Sequence, residues 1–290
     1  MITDIFIPGA ITGFFDIHGS SEIAKAGTTG FSVCISYGLN IRAISIPSGA
    51  HRVRFYTQGK RRIIPVSRHV YDSFVPTLRR NYDITFMYYP QLPLGAGFGM
   101  SGATALGTAF CLNELQSNDN YGLVAYCADV CTKGGYGDII SQMKGGALLR
   151  CTPGFGSQII EIDPKDYKVV CASFGPLSTK GVLESESTVE NINKEGSKCL
   201  SKAMEDPSIE KLMGLSRSFS DKVSLGTPRL DWAIEDVSSV NSLPASMSML
   251  GESLFTFARE EDISDILEAL SPYEAEIMVA DIWRGGIGHT

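Results

Sequence analysis

An α+β fold in two lobes is what this 290-residue sequence predicts, on three observations. Short apolar runs punctuated by Gly, Pro and Ser alternate with helical spacings through the first half. Long, polar, amphipathic helical stretches occupy the second half, with strand-like runs before and after them. The texture changes between residues 152 and 158, which divides the chain into lobes 1–155 and 156–290. With 43% hydrophobic and 20% charged residues, the composition supports a full core.

In the first lobe, "DIFIPGAITGFFDI", "GFSVCISYGLNIRAISI" and "HRVRFYTQGKRRIIPV" read as successive strands separated by turn residues. "SRHVYDSFVPTLRR" carries apolar residues at helical spacing, with Ser67 as its N-cap. The strand "DITFMYYP" leads through a glycine-rich turn into the alanine-rich helix "SGATALGTAFCLNEL". "SNDNYGLVAYCADVCTKGG" is a helix with an Asn/Asp start and a Gly-Gly stop, and "GDIISQMKGGALLRCTPG" a short helix running into a strand.

In the second lobe, "SQIIEIDPKDYKVVCASFGPLS" is two strands joined by a Pro-Lys-Asp turn. Two helical stretches follow, "STKGVLESESTVENINKEGSKCLSKAMED" and "SIEKLMGLSRSFSDKVSL". Then come "ASMSMLGESLFTFA" as a strand, "EDISDILEAL" as an acidic helix and "EAEIMVADI" as the last strand. Such an order suits an α+β sandwich.

A net charge of −7 gives no global basic field, which argues against nucleic acid or an anionic membrane as partner. Basic residues do gather from Arg52, Arg54, Lys60, Arg61 and Arg62 to Arg79 and Arg80, a pattern read as a solvated strand-and-turn surface. The seven cysteines sit mostly in apolar runs and act as small hydrophobes. Cys127 and Cys131 lack a second Cys/His pair to complete a zinc site, and His18, His51, His69 and His289 form no ligand cluster. With no leader-like start and no run of about 18 apolar residues, the expectation is a reduced, cytoplasmic protein.

The chemistry is concentrated in "PLGAGFGMSGATALG", Pro93 to Gly107, where five of fifteen residues are glycine. A glycine-rich turn between strand and helix converges backbone N–H groups, and the helix start adds partial positive charge, so the segment is built for an anion, most often phosphate. No Gly-Lys-Ser/Thr closes it as in a Walker A loop. No acidic residue stands about twenty positions on at the end of a second strand, as a dinucleotide site requires.

That stretch resembles the PxxxGLGSSAA signature of the GHMP kinases, a superfamily that includes galactokinase, homoserine kinase and mevalonate kinase. "IFIPGAITGFFDI" and "ASMSMLGESLFTF" occupy the places of its first and third motifs. Within the superfamily the likeness is greatest to the archaeal pantoate kinase family, through "PGAITGFF", "KGGYGDIISQMKGGALLR", "FGPLSTKGVL" and "SMLGESLF". Ala10 departs from the polar residue of that pattern, and "AGTTGFSV" from its more glycine-rich segment; both lie near the implied acceptor pocket. The resemblance implies an N-terminal lobe like ribosomal protein S5 domain 2, a ferredoxin-like C-terminal lobe, and an active site between them. It implies ATP and Mg²⁺, pantoate as the small-molecule acceptor, and the homodimer common in the superfamily. Homoserine, shikimate and mevalonate stand as alternative acceptors, and a noncatalytic binding protein as the alternative from another class.

For the nucleotide, the candidates are Pro93, Gly95, Ala96, Gly97, Phe98, Gly99, Met100, Ser101, Gly102 and Ala103. Hard oxygen ligands for magnesium are sought in Ser101 and Asp129, the latter near a helix C-terminus where the dipole disfavours a carboxylate. Asp138 follows three glycines and opens a helix; by resemblance it is the carboxylate that orients or deprotonates the acceptor hydroxyl. Arg150 offers a guanidinium fork for a substrate carboxylate or the γ-phosphate, and Lys25 a second cation for the acceptor. Helix capping by Asp138 and solvated surface roles for Asp129, Arg150 and Lys25 are the competing readings.

Overall fold

The computed structural model describes residues 1–116, 120–135, 137–177 and 185–289. The "FGPLSTKGVL" likeness runs into residues 178–184, which lie outside them, as does Tyr136 of "KGGYGD".

Strand β1 (Ile2–His18) is buried along nearly its whole length rather than on alternate residues. It pairs antiparallel with β2 (Gly27–Pro47), a 21-residue strand that also carries β5 (Tyr82–Pro90) along its second half and β6 (Ala147–Arg150) along its first. The hairpin β3 (Arg52–Thr57) and β4 (Lys60–Arg62) extends the sheet, with β3 parallel to β5. Gln58 and Gly59 both have positive φ at its tip, as a two-residue hairpin turn of this hand requires. Strand β7 (Ile159–Ile162) pairs with β6, and β12 (Gly288–His289) returns from the far end of the chain to pair with β1, giving eight strands.

A second, antiparallel sheet has the order β11-β8-β10-β9, formed by β8 (Lys168–Gly175), β9 (Ser246–Met247), β10 (Glu252–Ala258) and β11 (Glu276–Ala280). The chain crosses from the first sheet to the second between Ile162 and Lys168, so the two strands flanking the Pro-Lys-Asp turn belong to different sheets.

Eight α-helices lie among the described residues: α1 (Pro65–Phe74), α2 (Met100–Asn113), α3 (Tyr121–Cys131), α4 (Asp138–Lys144), α5 (Glu186–Glu205), α6 (Ile209–Val223), α7 (Pro228–Val240) and α8 (Ile263–Leu270). Helices α2 and α4 from the first half and α5 and α6 from the second all pack on β1, which accounts for its continuous burial. Ser185, Ser208 and Thr227 cap α5, α6 and α7 by accepting a backbone N–H three residues on.

Three sequence expectations are corrected. Ser67 does not cap α1, which begins at Pro65; its hydroxyl is buried against Tyr88 Oη at 2.9 Å and Thr108 Oγ1 at 3.0 Å. Helix α7 has no counterpart in the reading, although Thr227-Pro228 is a cap-and-start pair and Leu230, Ala233, Ile234 and Val237 repeat at helical spacing. "ASMSMLGESLFTFA" is two strands, because the chain reverses at Leu250, whose φ is 63°, and Gly251. All seven cysteines are free thiols, and no helix among the described residues is long and apolar enough to cross a membrane.

Candidate active site

The glycine loop runs from the end of β5 into the start of α2, with Gly95, Gly97 and Gly99 at φ of 75°, 85° and 66°. Its peptides are held from three sides. Ser248 Oγ donates to Gly97 O at 2.7 Å, the buried Gln142 amide to Gly99 O at 2.9 Å, and Ala10 N–H to Phe98 O at 3.1 Å. With those carbonyls engaged from behind, the loop can turn N–H groups to its open side.

Close approach fixes two of the small residues. A Cβ on Gly251 would lie 2.0 Å from Ala96 C and 2.3 Å from Gly97 N, so the β9–β10 turn touches the loop backbone directly. A Cβ on Gly99 would lie 3.1 Å from Ala10 Cβ, so a longer side chain at position 10 would press on the loop from beneath. Ala10 therefore supports the loop instead of facing an acceptor, and its departure from the polar pattern has a packing reason.

In front of the loop lies a cavity of about 280 Å³. Gly95, Gly97, Phe98, Gly99, Met100 and Ser101 form one wall; Thr132, Lys133, Gly134, Gly135 and Asp138 form another; Thr12, Phe15, Thr28, Met249 and Leu250 complete it. The loop residues, Ser101 and Asp138 are thus brought together.

Asp138 is the first residue of α4, half-buried, with its carboxyl opening to the cavity. Thr12 Oγ1 donates to its Oδ1 at 3.4 Å, a long and weak bond. Burial pushes the Asp138 carboxyl up to about 7; the Arg150 guanidinium opposes that shift and the Asp129 carboxylate adds to it. A carboxyl poised near neutrality in a cavity wall can take up a proton and release it again.

Arg150, expected on the charged groups of a ligand, does not line the cavity and is only 1% exposed. Its Nη1 donates to Ser32 Oγ at 2.8 Å and Ser141 Oγ at 2.9 Å, and its Nη2 to Thr28 Oγ1 at 3.3 Å. Burial lowers its pKa, and the Asp138 carboxylate is the largest influence keeping the proton on. Arg150 is therefore a buried counter-charge behind Asp138, held by hydroxyls that a reading of strand direction could not supply.

Asp129 is 1% exposed on α3 and accepts the Ser101 hydroxyl at 2.8 Å. A Cβ on Gly134 would lie 1.9 Å from Asp129 Oδ1, so the Gly-Gly turn after α3 folds directly over that carboxylate. Lys25 is not brought to the cavity: its side chain is 68% exposed and paired with Glu22 at 2.8 Å. Thr12, Thr28, Gln142 and Ser248 went unassigned from sequence. Thr12 sits in "PGAITGFF" and Ser248 in "SMLGESLF", so the motifs were visible while the roles within them were not.

No family model matches the sequence. Curated relatives do match. The chain is 34% identical over 271 residues to the pantoate kinase of Methanocaldococcus jannaschii, with 92% of this chain and 96% of that protein aligned. The chain belongs to the pantoate kinase family. It is likewise 33% identical over 295 residues to the pantoate kinase of Thermococcus kodakarensis, with 98% and 96% of the two chains covered. Among solved structures, a phosphotransferase related to the coenzyme A biosynthesis pathway superposes with a TM-score of 0.92 at 29% identity, covering 100% of this chain and 99% of the other. A homoserine kinase from Cytophaga hutchinsonii superposes with a TM-score of 0.74 at 14% identity, covering 100% and 97%, which speaks to fold alone. The pantoate kinase family thus shares the two-lobed GHMP kinase fold, and the chain is a kinase of that fold.

Proposed function

We propose that the chain transfers the γ-phosphoryl group of ATP to the primary hydroxyl of (R)-pantoate, giving (R)-4-phosphopantoate for coenzyme A biosynthesis. The observation that carries the reaction class is Asp138: a carboxyl with its pKa raised to about 7, opening onto the same cavity as the glycine loop. Membership of the pantoate kinase family supports the acceptor.

In this reading the loop N–H groups and the start of α2 hold the phosphates of ATP. Beside the loop, Ile64, Pro65, Val66 and Leu94 line an apolar groove that suits a nucleoside base. The Asp138 carboxylate accepts the acceptor's hydroxyl proton as that oxygen bonds to the γ-phosphorus; the bond from the γ-phosphorus to the bridging oxygen breaks, and ADP leaves with the electron pair. Thr12 and the buried Arg150 position and tune Asp138.

The residues fit magnesium. Ser101 brings a hydroxyl to the cavity wall, and Asp129 stands behind it in the space that the missing Cβ of Gly134 leaves. No cluster of three or more His, Cys, Asp or Glu side chains suited to a metal occurs among the described residues, as a site completed by phosphate oxygens and water does not need one. When bound, Mg²⁺ neutralises charge on the phosphate oxygens.

The test is ADP release from Mg-ATP with pantoate, homoserine, mevalonate and shikimate supplied separately. Turnover with pantoate alone is the expected result. Turnover with a different acid keeps the kinase and removes the acceptor; no turnover with any of them, in protein that binds ATP, removes this proposal.

A further inference from the structure

The cluster of basic residues noted in the sequence plays no part in the reaction above. Three of them, Arg52, Arg54 and Arg61, line a second cavity between the β3–β4 hairpin and α1, of about 490 Å³, which shares no residue with the catalytic one. His51, Arg52, Arg54 and Arg61 come from the strand side, and Arg68, Tyr71 and Asp72 from the helix. We propose that this cavity is a separate anion site that takes a small molecule bearing a phosphate or diphosphate group.

The charge balance comes first. Arg54 Nη2 is paired with Asp83 at 2.5 Å and Arg68 with Asp72 at 2.8 Å, so Asp72, the one carboxylate in the lining, is already engaged. Arg52 and Arg61 have no acidic partner among the described residues, which leaves two guanidinium groups facing one concave space. The second observation is independent of charge. His51 Nδ1 and Tyr71 Oη, both from residues of the lining, are buried without a hydrogen-bond partner among the described residues. Buried polar atoms are ordinarily satisfied, so two orphans in the wall of one cationic cavity point to a ligand that supplies oxygen atoms. Planar, multiply donating guanidinium groups match the oxygens of phosphate, and two of them without acidic partners suit an anion of more than one charge. An open depression of this size suits a small molecule and not the extended, groove-following contact of nucleic acid.

The test is titration calorimetry with three probes, inorganic phosphate, pyrophosphate and ADP, each added to protein whose catalytic cavity is saturated with Mg²⁺ and a non-hydrolysable ATP analogue. At least one probe is expected to bind at one site per chain, and the comparison among them separates free phosphate from a nucleotide source. The double variant Arg52→Ala/Arg61→Ala, which removes two exposed charges, should weaken that binding by about tenfold or more. Its melting temperature and basal ADP release should stay as in the wild type, and the milder Tyr71→Phe should weaken binding without abolishing it. Absence of binding by all three probes, or binding that survives the arginine substitutions, overturns the proposal. It does so whether or not pantoate is the acceptor.

Discussion

The sharpest consequence of the site's construction concerns Gly251, a residue from the opposite lobe that touches no ligand in the proposed reaction. In Gly251→Ala the new methyl would begin 2.0 Å from Ala96 C and 2.1 Å from Ala96 O, against an ordinary contact of about 3.4 Å. Neither neighbour is the flexible end of a side chain; both are backbone of the glycine loop. The loop or the β9–β10 turn must therefore move by about 1.4 Å. Overpacking of this kind costs roughly 1–3 kcal/mol of stability, and a misplacement of about 1 Å in a positioning element costs about a hundredfold in rate. The expected outcome is a folded protein, with a native circular dichroism spectrum and a melting point lowered by several degrees, whose kcat/KM for ATP has fallen by about two orders of magnitude. Stability and activity are read on the same preparation, so unfolding is not mistaken for misalignment. A variant with kcat/KM within threefold of wild type would refute the contact between the lobes as the source of the loop's geometry.

Further predictions follow from individual side chains. Asp138→Asn should lower kcat by about 10²- to 10⁴-fold with little change in the KM for ATP. Because the ionised carboxylate is the active form and burial raises its pKa to about 7, wild-type kcat should rise with pH through that value; a limb near pH 4 would contradict the assignment. Arg150→Met removes a charge that lowers the Asp138 pKa, so the same limb should shift to higher pH, and a shift downward in the pH–rate profile would end the counter-charge argument. Ser101→Ala should weaken Mg²⁺ dependence by about 10- to 100-fold in a magnesium titration of ADP release, since it removes a hydroxyl and its bond to Asp129. Lys25→Ala should leave kcat/KM within about twofold of wild type, as its side chain is exposed and paired with Glu22; a tenfold rise in the acceptor's KM would restore it to the site.

Local pattern carried most of the fold. Alternating apolar runs, the Pro-Lys-Asp turn and the glycine loop each announce an element by chemistry that acts over a few residues. Where the structure departs from local pattern, a longer-range condition decides. Ser67 has the right residue type for a cap, yet Pro65 already starts the helix and the hydroxyl is drawn inward to Tyr88. "ASMSMLGESLFTFA" is apolar enough to be one strand, but the close passage of Gly251 over Ala96 requires a reversal there. That approach involves residues about 150 positions apart, and no window of sequence contains it.

The same distinction separates what was legible in the site from what was not. The candidate phosphate loop is local, because its glycines and the helix they enter are consecutive, so a single window of sequence contains it. Asp138 was legible for a similar reason: the neighbouring glycines leave room that its carboxylate uses, as the 2.0 Å approach of a Cβ on Gly135 to Asp138 Oδ2 makes plain. Arg150 was not, since its place depends on Thr28, Ser32 and Ser141, drawn from β2 and α4, whose hydroxyls engage both terminal nitrogens of the fork and hold it inside the protein. The buried Arg150 cation beside the carboxyl also explains why the Asp138 pKa stops near neutrality instead of climbing further with desolvation. By the same logic the second lobe contributes through support: Ser248 donates to the Gly97 carbonyl and Gly251 lies against Ala96, so in the proposed reaction the rate should depend on how these residues brace the glycine loop.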